Sequence, residues 1–244
     1  MLIMQSTTAS LADDNKAREV YEELDRRLNA ITYETATLQM RIVDSRGRVR
    51  EREMVTWSFS KNDISKTLVR FNAPADVRGT GFLTISEGGT EVQRLFLPAL
   101  NRVQTISSGQ RGDRFMGSDF TYEDMGDQNP DDFVFSVLET NVAAGYMLIK
   151  GVRTASATYK TAHFKIDTNK YVLLEALYFN DKDEQVRFLK AEDVTEIRSG
   201  IWRANKLTMQ DVKANRFTEL TWKSRTLDEP IDDIIFTERN LSRF

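Results

Sequence analysis

The densest group of chemistry-bearing side chains lies between residues 111 and 132. There Asp113, Asp119, Glu123, Asp124, Asp127, Asp131 and Asp132 share one stretch with Arg111 and Arg114. Carboxylates at that density can hold a hard cation such as calcium. They can also pair with the neighbouring arginines and accept backbone N–H groups, which fixes a loop without a metal. The acids do not follow the order of an EF-hand loop, and two cations sit beside them, so ion pairing is the favoured reading and no metal is expected. Ser118 stands between Gly117 and Asp119, but no G-x-S-x-G elbow surrounds it. The single histidine, His163, lies between Ala162 and Phe164. A general base needs an oriented partner and a nearby nucleophile, and neither accompanies it. The chain has no cysteine, which removes thiol catalysis, disulfides and thiolate metal sites together. No catalytic residue, metal or cofactor is assigned, and the chain reads as not an enzyme.

Charge excludes a further class. The net charge is −3 with both signs interspersed, whereas nucleic-acid binding needs a clustered basic surface. No apolar run approaches the roughly 18 residues of a membrane-spanning helix. A spanning β-barrel is also disfavoured: Phe244 is terminal, but Ser242, Asn240 and Glu238 occupy the alternate positions before it and leave no lipid-facing stripe.

The elements that must position these residues are read from periodicity. Ala17, Val20, Tyr21, Leu24, Leu28 and Ile31 recur at three- and four-residue steps behind Asp13 and Asp14, which predicts one amphipathic helix over 13–30. The period then becomes two. Segments beginning at Leu38, Val49, Ile64, Gly81, Val92 and Arg102 alternate apolar and polar residues and are separated by short turns. A second series runs through Tyr146, Ala155, Tyr171, Gln185, Ile201 and Arg216. About eleven or twelve strands result, and connections this short make them antiparallel. No interior composition shift marks a domain boundary, so residues 13–244 are read as one domain. The long Ser107–Asp132 stretch has no sustained period and is expected to be functional or folded on itself.

So many alternating strands leave a large apolar face, and one helix and one loop are little cover for it. Two packed sheets, a filled barrel and a curved sheet around a ligand space all satisfy the pattern. For the last of these, Val55, Trp57, Phe59, Val69, Phe71, Leu83, Phe96 and Leu97 are the expected lining of the apolar cavity. That set depends on register, since a slip of one residue exchanges the faces.

Three segments in order narrow the choice: Arg70 to Leu83 (R-F-N-A-P-A-D-V-R-G-T-G-F-L), Leu95 to Val103 (L-F-L-P-A-L-N-R-V), and Phe115 to Met125 (F-M-G-S-D-F-T-Y-E-D-M). Together they resemble the outer-membrane lipoprotein-sorting protein family, the larger relatives of the periplasmic carrier LolA. The resemblance runs from the N-terminal helix to Phe236-Thr237-Glu238-Arg239. Its most specific part is the loop bearing Phe115, Gly117, Ser118, Asp119, Phe120, Tyr122, Glu123 and Asp124. It departs at Glu91-Val92-Gln93-Arg94, where an aromatic residue is expected. The resemblance implies a mainly β fold, an incomplete antiparallel barrel with an N-terminal helix and a helical or loop lid over an apolar concave face. It further implies a carrier in the periplasm for lipoprotein or lipid acyl chains, with an inner-membrane transporter and an outer-membrane acceptor as partners. A rival reading is a non-catalytic periplasmic adaptor of a resistance-nodulation-division transporter, which a side-chain-filled interior would favour.

The first residues agree with export. Met1 to Met4 is apolar, small and polar residues follow, and Ser10 and Ala12 have the spacing of a signal-peptidase site before Asp13. Residues 1–12 are therefore expected to be a signal-peptide remnant or a disordered leader.

Overall fold

The alternating segments form strands β1 (Tyr33–Val43), β2 (Val49–Lys61), β3 (Ile64–Ala73), β4 (Gly81–Glu87), β5 (Thr90–Leu97) and β6 (Arg102–Thr105) in the first half. The second half gives β7 (Phe133–Asn141), β8 (Tyr146–Arg153), β9 (Thr161–Asp167), β10 (Val172–Phe179), β11 (Gln185–Arg198), β12 (Ile201–Asp211) and β13 (Arg216–Leu227). This computed structural model describes residues 11–155 and 157–243. The expected leader lies outside the described residues, apart from 11 and 12, whose backbone already belongs to helix α1 (Leu11–Leu28).

All thirteen strands join one antiparallel sheet in the order β6-β5-β4-β3-β2-β1-β13-β12-β11-β10-β9-β8-β7. Two meanders thus meet at the β1–β13 seam, and the sheet stays open between its edges β6 and β7. One apolar cluster nevertheless runs from Leu95 on β5 to Phe133 on β7, so the sheet curls around a shared interior. This is an incomplete barrel, mainly β with an N-terminal helix. It has thirteen strands, not the expected eleven or twelve, the difference being β7. Phe133 and Phe135 are buried there, but Val134 and Leu138 are exposed, and a register shift falls between Val137 and Glu139. Apolar residues on both faces and a change of phase hide the period. The expected Ala155–Asp167 strand is shorter than anticipated, since pairing begins at Thr161.

Helix α1 starts and stops two residues earlier than expected. Asp13 and Asp14 in its first turn and Arg26 and Arg27 in its last complement the helix dipole. Its buried stripe is Ala17, Val20, Tyr21 and Leu24. Tyr21 meets Phe135, Phe164 and Phe133 with ring centroids 4.7, 5.1 and 5.7 Å away.

The sheet has two apolar faces at its β2–β5 end. Met54 opposes Phe71, and Val69 opposes Phe82, on the inner face toward α1. Trp57 opposes Leu68, and Leu68 opposes Leu83, on the outer face. The outer face has its own cover, a turn at Asp233–Phe236 and helix α2 (Glu238–Leu241). Phe236 and Leu241 are buried there. Gly81 lets this cover approach closely, because a Cβ on it would lie 2.6 Å from the Leu241 side chain.

Candidate functional site: the inner face and its covers

Three features compose the inner site: the apolar stripe, the helix over it, and the loop that links the free edges. Ala36, Leu38, Met40 and Ile42 on β1 form the floor at the seam, all nearly inaccessible. Leu220 on β13 and Met209 on β12 continue it, and Ala176, Phe164, Ile166 and Ile149 carry it to the far side. Strict alternation on long strands explains this continuity, since every second residue returns to the same face.

The eight residues expected to line one cavity do not share a face. Val69, Phe71 and Leu97 belong to or pack against the inner core. Trp57, Phe59, Leu83 and Phe96 lie in the outer cluster beneath the C-terminal segment. Val55 also points outward, into a shallow cleft of about 280 Å³ with Gln39, Glu53 and Lys223. The reason is parity. Trp57 is an odd number of residues from Met54, and apolar residues occupy both phases of β2 to β5, so composition does not distinguish the faces. The inner residues missed are Met54, Phe82 and Leu95, each the neighbour of a chosen residue or one step from it.

The loop crosses from the end of β6 to the start of β7 and therefore spans the gap in the barrel. It is not structureless: short 3-10 turns occur at Ser108–Gln110, Phe115–Gly117, Glu123–Met125 and Pro130–Asp132. Phe115 packs on Phe82, Tyr122 and Phe71 at 5.1, 5.7 and 5.9 Å, and Phe120 is buried beside them. Met116 and Gly117 both take positive φ, which turns the chain sharply enough for Arg216 to bond the Gly117 carbonyl at 2.7 Å.

Asp119, Glu123, Asp124 and Asp132 are ion-pair partners of strand arginines. Asp119 is fully buried, paired with Arg114 and with Arg216 at 2.6 Å, and accepts the Thr218 hydroxyl at 2.8 Å. Glu123 accepts Arg153 at 2.6 Å and the Thr158 N–H at 2.9 Å. Asp124 accepts the Thr121 N–H at 2.7 Å and pairs with Arg187. Burial works against the charge on Arg187, but Asp124 and Tyr178 hold its pKa above the ordinary value. Of the two arginines marked in the loop, Arg114 pairs with Asp119, while Arg111 pairs with Glu91 on β5. Arg153, Arg187 and Arg216 stand 30, 63 and 97 residues away in sequence from Glu123, Asp124 and Asp119, and no local signal marks them. The departure at Glu91–Arg94 also has a role. Gln93 is fully buried and donates to the Tyr122 carbonyl at 2.8 Å, and Glu91 accepts the Asp127 N–H at 2.8 Å.

Ser118 is buried and donates to the Phe120 carbonyl at 3.3 Å. His163 is on the outer face, its ring 4.6 Å from that of Phe179. Burial, and then Lys150, push its pKa down. Among the described residues no group of three or more histidines, cysteines or carboxylates has metal-binding geometry, and no helix is long and apolar enough to cross a membrane. A second cleft of about 390 Å³, between the loop and β8, is lined by Ser108, Arg111, Glu123, Asp127, Asp132, Arg153 and Thr158. Its lining is polar. The apolar inner face itself is occupied by α1 and by the loop's aromatic rings.

The fold recurs in solved structures. A domain from Vibrio parahaemolyticus assigned to the outer membrane lipoprotein-sorting proteins superposes with a TM-score of 0.88 at 26% identity, over 94% of this chain and 100% of that one. A family model described as an uncharacterized protein matches residues 63–243. The chain belongs to the family of uncharacterized proteins whose model it matches, and its fold is that of the lipoprotein-sorting domain. A DUF1329 family protein from Desulfovibrio piger shares the fold with a TM-score of 0.87 at 22% identity, over 94% of this chain and 99% of that one. A LolA superfamily protein from Nitrosomonas europaea gives 0.72 at 16% identity, over 92% and 98%. At those identities the last two establish the fold alone. No curated protein sequence matches the chain.

Proposed function

We propose that this family member is a non-catalytic periplasmic carrier that takes acyl chains of lipid or lipoprotein onto its inner face between the inner and outer membranes. The observation that carries the reading is the continuous apolar inner face, covered at its β7–β9 end by one helix whose buried stripe is Ala17, Val20, Tyr21 and Leu24. The magnitudes favour exchange. Val20, Tyr21 and Leu24 contribute about 1.5–3 kcal/mol each on burial, roughly 6 kcal/mol together, whereas a sixteen-carbon chain contributes roughly 12 kcal/mol gross at ~0.8 per methylene. An acyl chain can therefore replace the stripe without a net loss of apolar burial. The sheet beneath keeps its own ladder whether the helix is seated or not. Export to the periplasm is part of the proposal, supported by the likeness to the lipoprotein-sorting domain.

A second reading draws on a specific observation. The inner face is filled by the protein's own side chains, and the clefts at the surface are polar. A protein that only docks on a resistance-nodulation-division transporter needs no vacant interior. Mass spectrometry of organic extracts from gently purified periplasmic protein separates the two. Stoichiometric lipid or acylated peptide supports the carrier. A clean extract, repeated after incubation with membranes, supports the adaptor and overturns the carrier.

A further inference from the structure

Helix α1 ends against an excess of positive charge. Arg203 on β12 donates to the carbonyls of Arg27 and Leu28 at 2.9 and 2.8 Å, and to its neighbour Trp202 at 2.9 Å. All three acceptors are neutral backbone oxygens. Burial pulls the Arg203 pKa down to about 10, Glu34 opposes that fall, and Arg225 adds to it. Arg225 on β13 pairs with Glu34, donates to the Ala204 carbonyl at 3.0 Å, and lies 4.8 Å from the centre of the Trp222 ring. Its Nε–H is buried without an acceptor. Two guanidiniums thus share one carboxylate. Trp222 and Leu207 pack against the inner apolar core, so this charged end borders the stripe that α1 covers.

We propose that Arg203 and Arg225 seat the anionic head, phosphate or carboxylate, of the lipid whose chain occupies the inner face. The inference rests on the carrier reading and names the cargo class. When α1 leaves, Arg203 loses both helix carbonyls while remaining at an apolar border. A guanidinium in that position needs acceptors, and a phosphate or carboxylate supplies two oxygens at the spacing of its forked donors. The orphaned Nε–H of Arg225 offers a further donor with no competing acceptor in the protein. A neutral head supplies none of the missing charge.

The test titrates lipid-free full chain with three probes of equal chain length: palmitate, palmitoyl lysophosphatidic acid and neutral monopalmitoylglycerol. The anionic probes are expected to bind about tenfold more tightly than the neutral one. Arg203→Gln and Arg225→Gln are each expected to reduce that ratio to about twofold or less, and Arg203→Lys to retain most of it. The ratio isolates the seat, because any loosening of α1 by the substitution changes all three affinities together. Circular dichroism and thermal unfolding establish that each variant is folded. Inorganic phosphate at matching concentration is expected not to displace lysophosphatidic acid; displacement reassigns the site to free phosphate and overturns the lipid-head assignment. Equal affinity for all three probes, or a ratio that survives both glutamine variants, overturns the seat and leaves the carrier standing. Failure of every probe to bind removes the carrier reading and the seat with it.

Discussion

Replacing Tyr21 with alanine separates a removable helix from an integral one. Its ring is 6% exposed and touches three aromatic rings on β7 and β9. Truncating a buried aromatic residue costs about 3–5 kcal/mol, part of it the aromatic contacts themselves. If α1 were integral to one cooperative unit, the whole cost would appear in global unfolding. At about 2–4 °C per kcal/mol for a chain of this size, the melting temperature would fall by roughly 6–20 °C. If α1 is a local cover, the stripe's roughly 6 kcal/mol is halved or worse and the helix detaches below the global transition. The expected outcome is then a small shift in melting temperature, fast hydrogen exchange over residues 13–28, and unchanged protection in β1 and β13. Binding of a fluorescent fatty acid should tighten, because the chain no longer displaces a seated helix. The assay pairs exchange mass spectrometry with the titration. A fall of the full size with weaker binding would refute the reasoning, since the helix would then be part of the fold's foundation.

Other perturbations probe the remaining parts. Burial, reinforced by Asp127, raises the Asp25 pKa to about 6, above its unfolded value near 4. A raised carboxyl favours the folded form fully below the unfolded pKa and loses that contribution as pH rises through 6, so α1 should seat more firmly at pH 5 than at pH 7.5. With solvent screening of a half-buried group the effect is at most about 1–2 kcal/mol, and Asp25→Asn should abolish the pH dependence of the protection factors in α1. Asp119→Ala leaves the mostly buried Arg216 without its carboxylate while Arg114 keeps Asp211, and a cost of about 3–5 kcal/mol is expected in denaturant unfolding, with proteolysis appearing within 107–132. Trp57→Asp should leave fatty-acid affinity unchanged, because Trp57 is on the outer face, and should free the segment after Asp228 to limited proteolysis.

The sequence made the architecture legible because each element carried its own period. The stripe from Ala17 to Leu24 and the alternation of Leu38, Met40 and Ile42 each report burial on one side only. Strand β7 was not legible, since Val134 and Leu138 interrupt the alternation of Phe133 and Phe135 and the bulge changes its phase. The site was half legible. The acids of the loop and their pairing were evident from composition, but Arg153, Arg187 and Arg216 are supplied by the fold, and a sequence pattern carries no signal for partners so remote. The face assignment failed at Trp57, Phe59, Leu83 and Phe96 because β2 to β5 bury apolar residues on both sides. Alternation identifies a buried face only where the opposite face is wet. Here the second face is dry because the segment from Ile231 to Leu241 returns to cover it, a fact that no local window contains.

The strand order also explains why the most specific motif lies in a loop. One meander ends at β6 and the other begins at β7, and these are the two free edges of the sheet. The chain between them must cross the opening of the barrel. Backbone exposed at that crossing would leave its polar groups without sheet partners, so each turn has to be fixed by side chains. Gln93 takes the Tyr122 carbonyl, Arg216 the Gly117 carbonyl and Arg52 the Met116 carbonyl, while Asp119, Glu123 and Asp124 anchor the loop to β13, β8 and β11. The loop thus ties both meanders to one bridge, and α1 is attached to it at the surface through Arg18 and Asp131. Exposed pairs of that kind contribute about 0–1 kcal/mol, whereas breaking a buried pair within the bridge costs about 3–5 kcal/mol. The order of detachment follows. The helix should leave first, with the bridge and both meanders intact, and the inner face should open along α1 and not between β6 and β7.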